Sequence, residues 1–229
     1  MTREEDLSEA LQTRKGMAQK GSRRFRIISF FDLMVSFFLA VMLTGCGATR
    51  ASKYYQLTVP AAESGGQTGD PVGATLLVSP LLASHLYRED RIVYSTGGEQ
   101  MGTYEYHRWV EPPTEMIQEV LLRELRASGR YKAVYAERSS VNGDFLIRGR
   151  LYEFKEISGR TLLAKVALEL EMLKVKSGAT VWTHYYSHEE PVTKKNVPAV
   201  VAALDRNVQT AVKEMLASLD QYFAEHPFK

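Results

Sequence analysis

The most regular pattern in the sequence is a two-residue alternation of apolar side chains in its second half. Between residues 162 and 172 every second residue is apolar, and the intervening positions include three charged side chains. A period of two places successive side chains on opposite faces of a strand, whereas a helix would spread them around its axis. Similar alternation at residues 145–151 and an aromatic run at residues 180–187 predict two further strands, with a turn at Ser177-Gly178.

Shorter strands are predicted in the first half from β-branched and aromatic residues that lie between turn-forming segments. They are residues 53–59, residues 74–82, residues 133–136, and a hairpin formed by residues 91–95 and 103–107. Glycines between the two hairpin segments favour a wide turn. Residues 60–73 are rich in Gly, Ala and polar side chains and are predicted to form a loop. A proline near the end of the strand at 74–82 indicates an edge or a bulge.

Two segments have the three- and four-residue apolar spacing that is typical of an amphipathic helix. The first begins at Pro112-Pro113 and ends near Gly129, a residue type suited to a helix C-terminus. The second follows Asn196, a favourable N-cap, and has Pro198 in its first turn. Its apolar positions are Val201, Leu204, Val208, Val212, Met215, Leu219 and Tyr222.

An apolar run at residues 33–46, LMVSFFLAVMLTGC, ends at the only cysteine of the chain. Three arginines precede the run, as expected for the basic n-region of a secretory signal peptide. The ending LTGC resembles the lipobox of bacterial lipoproteins. That resemblance implies cleavage after Gly45 and acylation of Cys46, whose thiolate is the nucleophile that takes the lipid.

The lipobox interpretation divides the chain into two parts. Residues 1–45 are a signal peptide with an N-terminal extension, the true start being Met1 or Met17, and residues 46–229 form a periplasmic lipoprotein domain. The alternative is a single transmembrane helix at residues 27–43. That run is only about 17 residues long, is interrupted by an aspartate and two serines, and so lies at the lower limit for a span. The signal peptide is therefore favoured.

The balance of charged residues argues against a nucleic-acid-binding protein. The chain has 229 residues and a formal net charge of +2. Residues 1–45 contain seven Lys/Arg and five Asp/Glu, which leaves 22 of each in residues 46–229. A neutral domain lacks the clustered basic excess of nucleic-acid-binding proteins, so no nucleic acid is expected as a partner. If Cys46 is acylated, the domain can form no disulfide and no cysteine-rich zinc site.

The sequence contains none of the common catalytic or nucleotide-binding motifs: no G-x-S-x-G, P-loop, H-E-x-x-H or G-x-G-x-x-G. No enzyme activity, cofactor or metal is therefore expected. His184 and His188 share a predicted strand face with Trp182 and Tyr186, and with Glu190 nearby they could bind a metal. A solvated, aromatic-rich strand face is the favoured interpretation, because two imidazoles at this spacing are common by chance.

Large aromatic residues and arginines concentrate in and beside the predicted hairpin. Alternation places Tyr104 and Tyr106 on one face, and Trp109 follows closely. These side chains either pack against the next helix or form a partner or lipid contact, because Tyr, Trp and Arg are enriched at interface hot spots. His107 is expected to be packed or hydrogen-bonded. The predicted partner-binding residues are Arg91, Tyr94, Tyr104, Tyr106, Arg108 and Trp109.

Several segments taken together resemble the ABC-type transport auxiliary lipoproteins (PqiC-like). They are the lipobox cysteine, Tyr54-Tyr55-Gln56-Leu57, Arg91-Ile92-Val93-Tyr94, the block at residues 104–109 with Pro112-Pro113, and the final helix. The resemblance covers essentially all of residues 46–229. It implies an α+β fold in a single domain, with a mostly antiparallel β-sheet packed by two main α-helices, and the predicted strands and helices agree with that class.

The resemblance also implies a function. Such proteins are lipoproteins anchored in the outer membrane and facing the periplasm, and they help to maintain that membrane. They work with an ABC transporter and a partner carrying mammalian-cell-entry (MCE) domains in moving lipids. Gly47 stands where an aspartate would signal retention at the inner membrane, which favours the outer membrane. Two functions remain open: an accessory subunit that docks to the transport partner, and a module that holds a lipid in an apolar pocket between sheet and helices. A homo-oligomer is compatible with both.

Overall fold

The computed structural model of the chain describes residues 34–35, 50–58, 71–97 and 99–228. The chain divides into two units, Met1–Arg50 and Ala51–Lys229, and the sheet with the helices that pack on it belongs to the second. None of the helices in the described ranges is both long and apolar enough to cross a membrane.

Several predictions fall where the structure gives no description. Cys46 and both candidate start methionines lie outside the described residues. So do the predicted signal peptide and the alternative span at residues 27–43, apart from Met34 and Val35, and most of the predicted loop at residues 60–73. Lipidation and processing therefore stay predictions.

The described residues of the second unit form nine strands and two α-helices. They are β1 (Lys53–Tyr55), β2 (Val72–Val78), β3 (Leu82–Ala83), β4 (Arg91–Ser95), β5 (Met101–Trp109), α1 (Pro113–Ala127), β6 (Tyr131–Ala136), β7 (Phe145–Ile157), β8 (Leu163–Lys174), β9 (Thr180–Pro191) and α2 (Val197–Glu225). A short 3-10 turn at His85–Tyr87 precedes β4. The α+β class with two main helices is thus confirmed.

The sheet is mixed and is organised around β7. One edge of β7 pairs in parallel with β2, β3 and β4 in turn, and the other pairs antiparallel with β8, which pairs antiparallel with β9. Strand β5 pairs antiparallel with β4 and parallel with β1, and β6 pairs parallel with β2. The two longest ladders, β7–β8 and β8–β9, are antiparallel because short turns join those strands.

A β-bulge explains why the alternation in the sequence stops at Leu151 although β7 continues. The strand continues past the predicted end at Leu151 to Ile157. Leu151 faces Leu168 of β8 but Glu153 faces Ala167, so one extra residue is inserted at this point. An inserted residue reverses the phase of the alternation. Beyond it the side chains of Phe154 and Glu156, rather than those of odd-numbered residues, point into the interior.

Both predicted helix boundaries are confirmed by their capping geometry. The side chain of Asn196 accepts a hydrogen bond from the Ala199 N–H at 2.9 Å and so caps the start of α2. Gly129, just after α1, has a φ of 62°, a left-handed conformation that costs glycine little. The chain can therefore turn directly from α1 into β6.

The core lies between the sheet and the two helices. Helix α2 packs across β8 and β9, and α1 packs against β6 and α2. On α2, Val200, Ala203, Leu204 and Val208 have no accessible surface. A side chain without accessible surface borders no water-sized space, so this helix–sheet contact is filled.

Helix α2 covers Trp182 and Tyr186 of β9, so the interpretation of a solvated face is wrong for these two aromatic residues, although His188 on the same strand is exposed. Trp182 and Tyr186 are 9% and 5% exposed. Trp182 Nε1 donates to Ser218 Oγ at 3.1 Å, and the Tyr186 hydroxyl donates to the side chain of Asn207 at 2.6 Å. Within the described residues, no three His, Cys, Asp or Glu side chains lie close enough together to hold a metal ion.

Candidate functional site

The predicted hairpin forms, but its second strand contains several extra residues that interrupt the pairing. Arg91 of β4 faces Arg108 of β5, but Val93, two residues on, faces Thr103, five residues away along β5. The extra residues break the strict alternation that was assumed for this strand. Tyr104 and His107, three residues apart, consequently meet with ring centroids at 5.8 Å.

Four rings from three strands form an aromatic cluster: Tyr55, Tyr94, Tyr104 and His107. The Tyr55 and His107 rings stack at 5.7 Å, and the Tyr55 hydroxyl lies 2.9 Å from His107 Nδ1. The Tyr94 and Tyr104 rings are 5.0 Å apart. His107 is thus packed and hydrogen-bonded, as its sequence context predicts, and the cluster fixes β1 to the hairpin.

A buried carboxylate anchors this cluster to the centre of the sheet. Glu156 of β7 is 4% exposed and accepts a hydrogen bond from the Tyr104 hydroxyl at 2.8 Å. The Ser158 hydroxyl donates to its other oxygen. Burial, together with the hydrogen bond to Glu156, raises the pKa of Tyr104, so the phenol stays a proton donor at any physiological pH. The sequence pattern missed Glu156, because the bulge in β7 is what turns it inward.

A row of three side chains crosses the outer part of the sheet on one face. Tyr54 of β1 faces Arg108 of β5, which in turn faces Arg91 of β4. Residues directly opposite each other on paired strands share a face, so these three form a continuous row. We call it the edge row. Tyr54 is 59% exposed, and Val110, whose N–H donates to the Tyr55 carbonyl at 2.8 Å, is 49% exposed beside it.

Acidic neighbours balance the arginines of the edge row. Arg108 Nη1 donates to both carboxylate oxygens of Asp90, at 2.8 and 3.0 Å. Arg91 Nε lies 3.9 Å from a Glu89 oxygen. Because each arginine has a carboxylate beside it, the row presents a nearly neutral aromatic and apolar surface rather than an anion-binding site.

Trp109, unlike the other predicted partner-binding residues, belongs to the core. Its side chain is 1% exposed and its ring lies 5.3 Å from that of Phe154. The backbone N–H of Trp109 donates to the Asp90 carbonyl at 2.6 Å. A partner cannot reach this indole without unfolding the end of β5, so the core alternative holds for this residue.

The structure therefore separates the six predicted residues by environment. Arg91 and Arg108 lie in the edge row, Tyr94 and Tyr104 in the aromatic cluster, and Tyr106 is partly buried on β5. Sequence reasoning missed Tyr54 as an exposed residue of this site. Its signal was present in the Tyr54-Tyr55 pair, because adjacent aromatic residues on a strand must face opposite sides.

Comparisons with known proteins place the chain in a family. The sequence model of the ABC-type transport auxiliary lipoprotein component matches residues 55–216. Among curated proteins, no sequence matches significantly.

Solved structures share the fold. The crystal structure of protein XCC0632 from Xanthomonas campestris, of family DUF330, superposes with a TM-score of 0.67 at 18% identity, covering 76% of this chain and 98% of that one. The crystal structure of an uncharacterized protein gives a TM-score of 0.59 at 13% identity, covering 74% of this chain and 99% of that one. At these identities the likeness concerns the fold alone, whereas the family match rests on the sequence: this chain belongs to the ABC-type transport auxiliary lipoprotein components.

Proposed function

We propose that this chain is the membrane-anchored accessory subunit of an ABC-type lipid transport system and that it docks to an MCE-domain protein through the edge row. The observation that carries the proposal is the exposed aromatic and apolar surface at β1, formed by Tyr54 and Val110. Exposed aromatic side chains on a rigid support are typical of interface hot spots.

The support beneath the edge row favours a docking role. Tyr55, the neighbour of Tyr54, is held by His107, and the aromatic cluster is held by Glu156. A surface that is already ordered loses less conformational entropy on association than a mobile one. The edge row is also close in sequence to the proposed anchor, since β1 begins at Lys53 and Cys46 lies seven residues earlier. Such a tether spans at most about 25 Å, which would keep the docking surface near the membrane.

The docking proposal is tested with two matched tyrosines in the full chain. Tyr54→Ala removes a 59% exposed ring from the edge row, and Tyr185→Ala removes a 58% exposed ring from β9. We expect Tyr54→Ala to weaken capture of the candidate MCE-domain protein by about 30-fold, as for an anchor aromatic. Tyr185→Ala should bind like wild type. Full binding by both variants, with unchanged thermal melts, would show that the edge row is not the docking surface.

The anchor is a separate part of the proposal. Cys46→Ala should abolish incorporation of labelled fatty acid and leave an unprocessed precursor. Gly47 after the cysteine favours sorting to the outer membrane, with the domain in the periplasm. Fractionation of membranes on a sucrose gradient checks the destination. A protein found only in the inner-membrane fraction would overturn the sorting proposal while leaving acylation intact.

The alternative function, a lipid held in an apolar pocket between sheet and helices, has less support. The side chains of α2 that face the sheet have little or no accessible surface, at most 8%, so a lipid could enter there only by separating helix and sheet. Native mass spectrometry of the processed protein distinguishes the two functions. One lipid in each monomer, apart from the anchor, that is still held by the double variant Lys174→Gln/Lys176→Gln of the exposed β8–β9 turn would favour the pocket, and the same spectra would reveal a homo-oligomer.

A further inference from the structure

A cavity of about 650 Å³ lies at the opposite end of α2 from its N-cap, between the C-terminal tail and the turn that joins β8 to β9. Its apolar wall is aromatic. The Phe145 ring contacts Phe223 at 5.5 Å and Phe228 at 5.4 Å, both edge-on. Phe145 is buried, whereas Phe228 is 39% exposed. The tail thus places an accessible aromatic side chain on the rim of the cavity.

The other wall carries positive charge. Lys174 and Lys176 line the cavity from the β8–β9 turn. The turn is held in place because the Lys174 N–H donates to the Ala179 carbonyl at 3.0 Å and the Gly178 N–H donates back to the Lys174 carbonyl at 2.8 Å. Within the described part of the chain, neither lysine side chain forms an ion pair. Both ammonium groups are therefore available to a ligand.

The remaining polar groups of the cavity cancel only part of this charge. Asp144 is the one acidic side chain among its described lining residues, one negative charge against the two positive charges of the lysines, and its carboxylate accepts a hydrogen bond from the Thr75 N–H at 2.8 Å. His226 stacks on Tyr222 at 4.7 Å, and its Nδ1 lies 3.1 Å from the Tyr222 carbonyl. A carbonyl only accepts, so Nδ1 carries the proton in this contact, and the ring is held against Tyr222.

We propose that this cavity binds an anionic amphiphile: an acidic group held by Lys174 and Lys176, joined to an apolar group that packs on Phe145 and Phe228. The chemistry is shared by a phospholipid with an acidic headgroup and, for the anion alone, by free phosphate. The site is separate from the edge row, so it can fail without affecting the docking proposal, and docking can fail without affecting it.

The test is calorimetric titration of the full chain, purified in a neutral maltoside detergent, with three probes. These are dihexanoyl phosphatidylglycerol, its zwitterionic counterpart dihexanoyl phosphatidylcholine, and inorganic phosphate. We expect phosphatidylglycerol to bind more tightly than either of the others, because only it supplies both the net negative charge and the apolar chains. Added salt should weaken its binding, since exposed charges are screened.

Four variants locate the site. The double variant Lys174→Gln/Lys176→Gln and the single variant Phe228→Ala should each weaken phosphatidylglycerol binding by about fivefold or more, as expected for two exposed charge contacts and one apolar contact. Lys213→Gln, at an exposed lysine on α2, is the matched control and should bind like wild type. Thermal melts check that the variants are folded, and Phe228→Leu, which keeps an apolar side chain, should restore much of the binding.

Four results would overturn the proposal. They are no binding of phosphatidylglycerol by the wild type, equal binding of phosphatidylcholine, an equal loss in Lys213→Gln, and inorganic phosphate binding as tightly as the lipid with no effect of Phe228→Ala. The last result would assign the lysines to a free anion instead of an amphiphile.

Discussion

Strands β5 and β9 carry similar sets of side chains but have opposite environments. Each contains large aromatic residues at close spacing, with one histidine in β5 and two in β9. On β9, α2 covers the aromatic face, and Trp182 and Tyr186 are hydrogen-bonded to the helix. On β5, the aromatic cluster is only partly buried, and the edge row is open at Tyr54. Helix coverage, rather than composition, decides that the face of β9 with Trp182 and Tyr186 is core, whereas the edge row beside β5 is surface.

The two strands also differ in how their polar groups are satisfied. Under α2, the Asn207 side chain accepts from the Tyr186 hydroxyl and donates to the Ala164 and His188 carbonyls at 3.1 Å each. Burial raises the pKa of Tyr186 to about 12. Beside the β4–β5 hairpin, the buried acceptor is the carboxylate of Glu156 on β7, which binds the Tyr104 hydroxyl. One region is a closed neutral network, and the other contains a buried carboxylate below an exposed surface.

The largest effect is expected from Trp109→Ala, which tests whether the end of β5 is core. Removing this buried indole should lower the free energy of unfolding by about 3–5 kcal/mol. Urea unfolding of the full chain measures the loss. Tyr54→Ala, from the same edge of the sheet, is the control and should change stability by less than about 0.5 kcal/mol. Equal stability of the two variants would contradict the assignment of Trp109 to the core.

Asn207→Ala breaks the polar network under α2 and should rank second. The substitution removes the side-chain partner of the Tyr186 hydroxyl, of the buried Ala164 carbonyl and of the partly buried His188 carbonyl, which should cost about 2–3 kcal/mol. Thermal and urea unfolding measure it. Ser218→Ala, which removes a single acceptor from the partly buried Trp182 bond, should cost less. If the two variants lose the same stability, Asn207 is not the centre of the network.

Tyr104→Phe tests the hydrogen bond that fixes the aromatic cluster to β7. The ring stays in place, but Glu156 loses one of its two hydroxyl donors. We expect a loss of about 1–2 kcal/mol, because hydrogen bonds to charged groups contribute more than neutral ones. Tyr152→Phe removes a comparable bond, to Glu169, on the exposed face of the sheet. A loss in Tyr152→Phe as large as in Tyr104→Phe would contradict the special role of the buried carboxylate.

Glu171→Gln should give the smallest effect, and one that depends on pH. Arg148 Nε donates to Glu171 at 2.6 Å and lowers the pKa of this carboxyl below its usual 4.5. A carboxyl with a lowered pKa in the folded state stabilises the protein above pH 4.5, and that contribution disappears as the pH falls through the lowered value. At pH 7 the free energy of unfolding of wild type should be higher than that of Glu171→Gln by less than about 1 kcal/mol, because the ion pair is partly solvated.

The control for this pH experiment is built into the comparison of wild type with variant. Burial raises the pKa of Asp220, although Arg130 opposes the shift. The contribution of Asp220 to the free energy of unfolding therefore changes in the opposite direction to that of Glu171. It falls as the pH rises above 3.8, the usual pKa of an aspartate. Asp220 is present in both proteins, and its effect cancels in the difference. A difference between wild type and variant that persists unchanged to pH 2 would rule out the ionised form of Glu171 as its source.

Local pattern was sufficient for most elements. The alternation in β8, the apolar spacing of both helices, the Asn196 cap and the Gly129 turn each depend on residues near in sequence, and the structure confirms all of them. The bulges in β5 and β7 were not predictable, because an inserted residue is stabilised by pairing with a neighbouring strand. The inward position of Glu156 and the contact between Tyr104 and His107 depend on these bulges, so the sequence pattern did not predict them either.

The sequence by itself determined both helices and the approximate place of most strands, although the strand predicted at residues 74–82 is divided into β2 and β3. It also identified the family through the order of its motifs. Only the tertiary structure decided that α2 lies over β9, so that Trp182 and Tyr186 are core, and that β1 ends the sheet beside β5, so that Tyr54 is exposed. Periodicity records which side chains share a face. Whether that face meets a helix or water depends on contacts between residues far apart in the chain, and no local pattern encodes them.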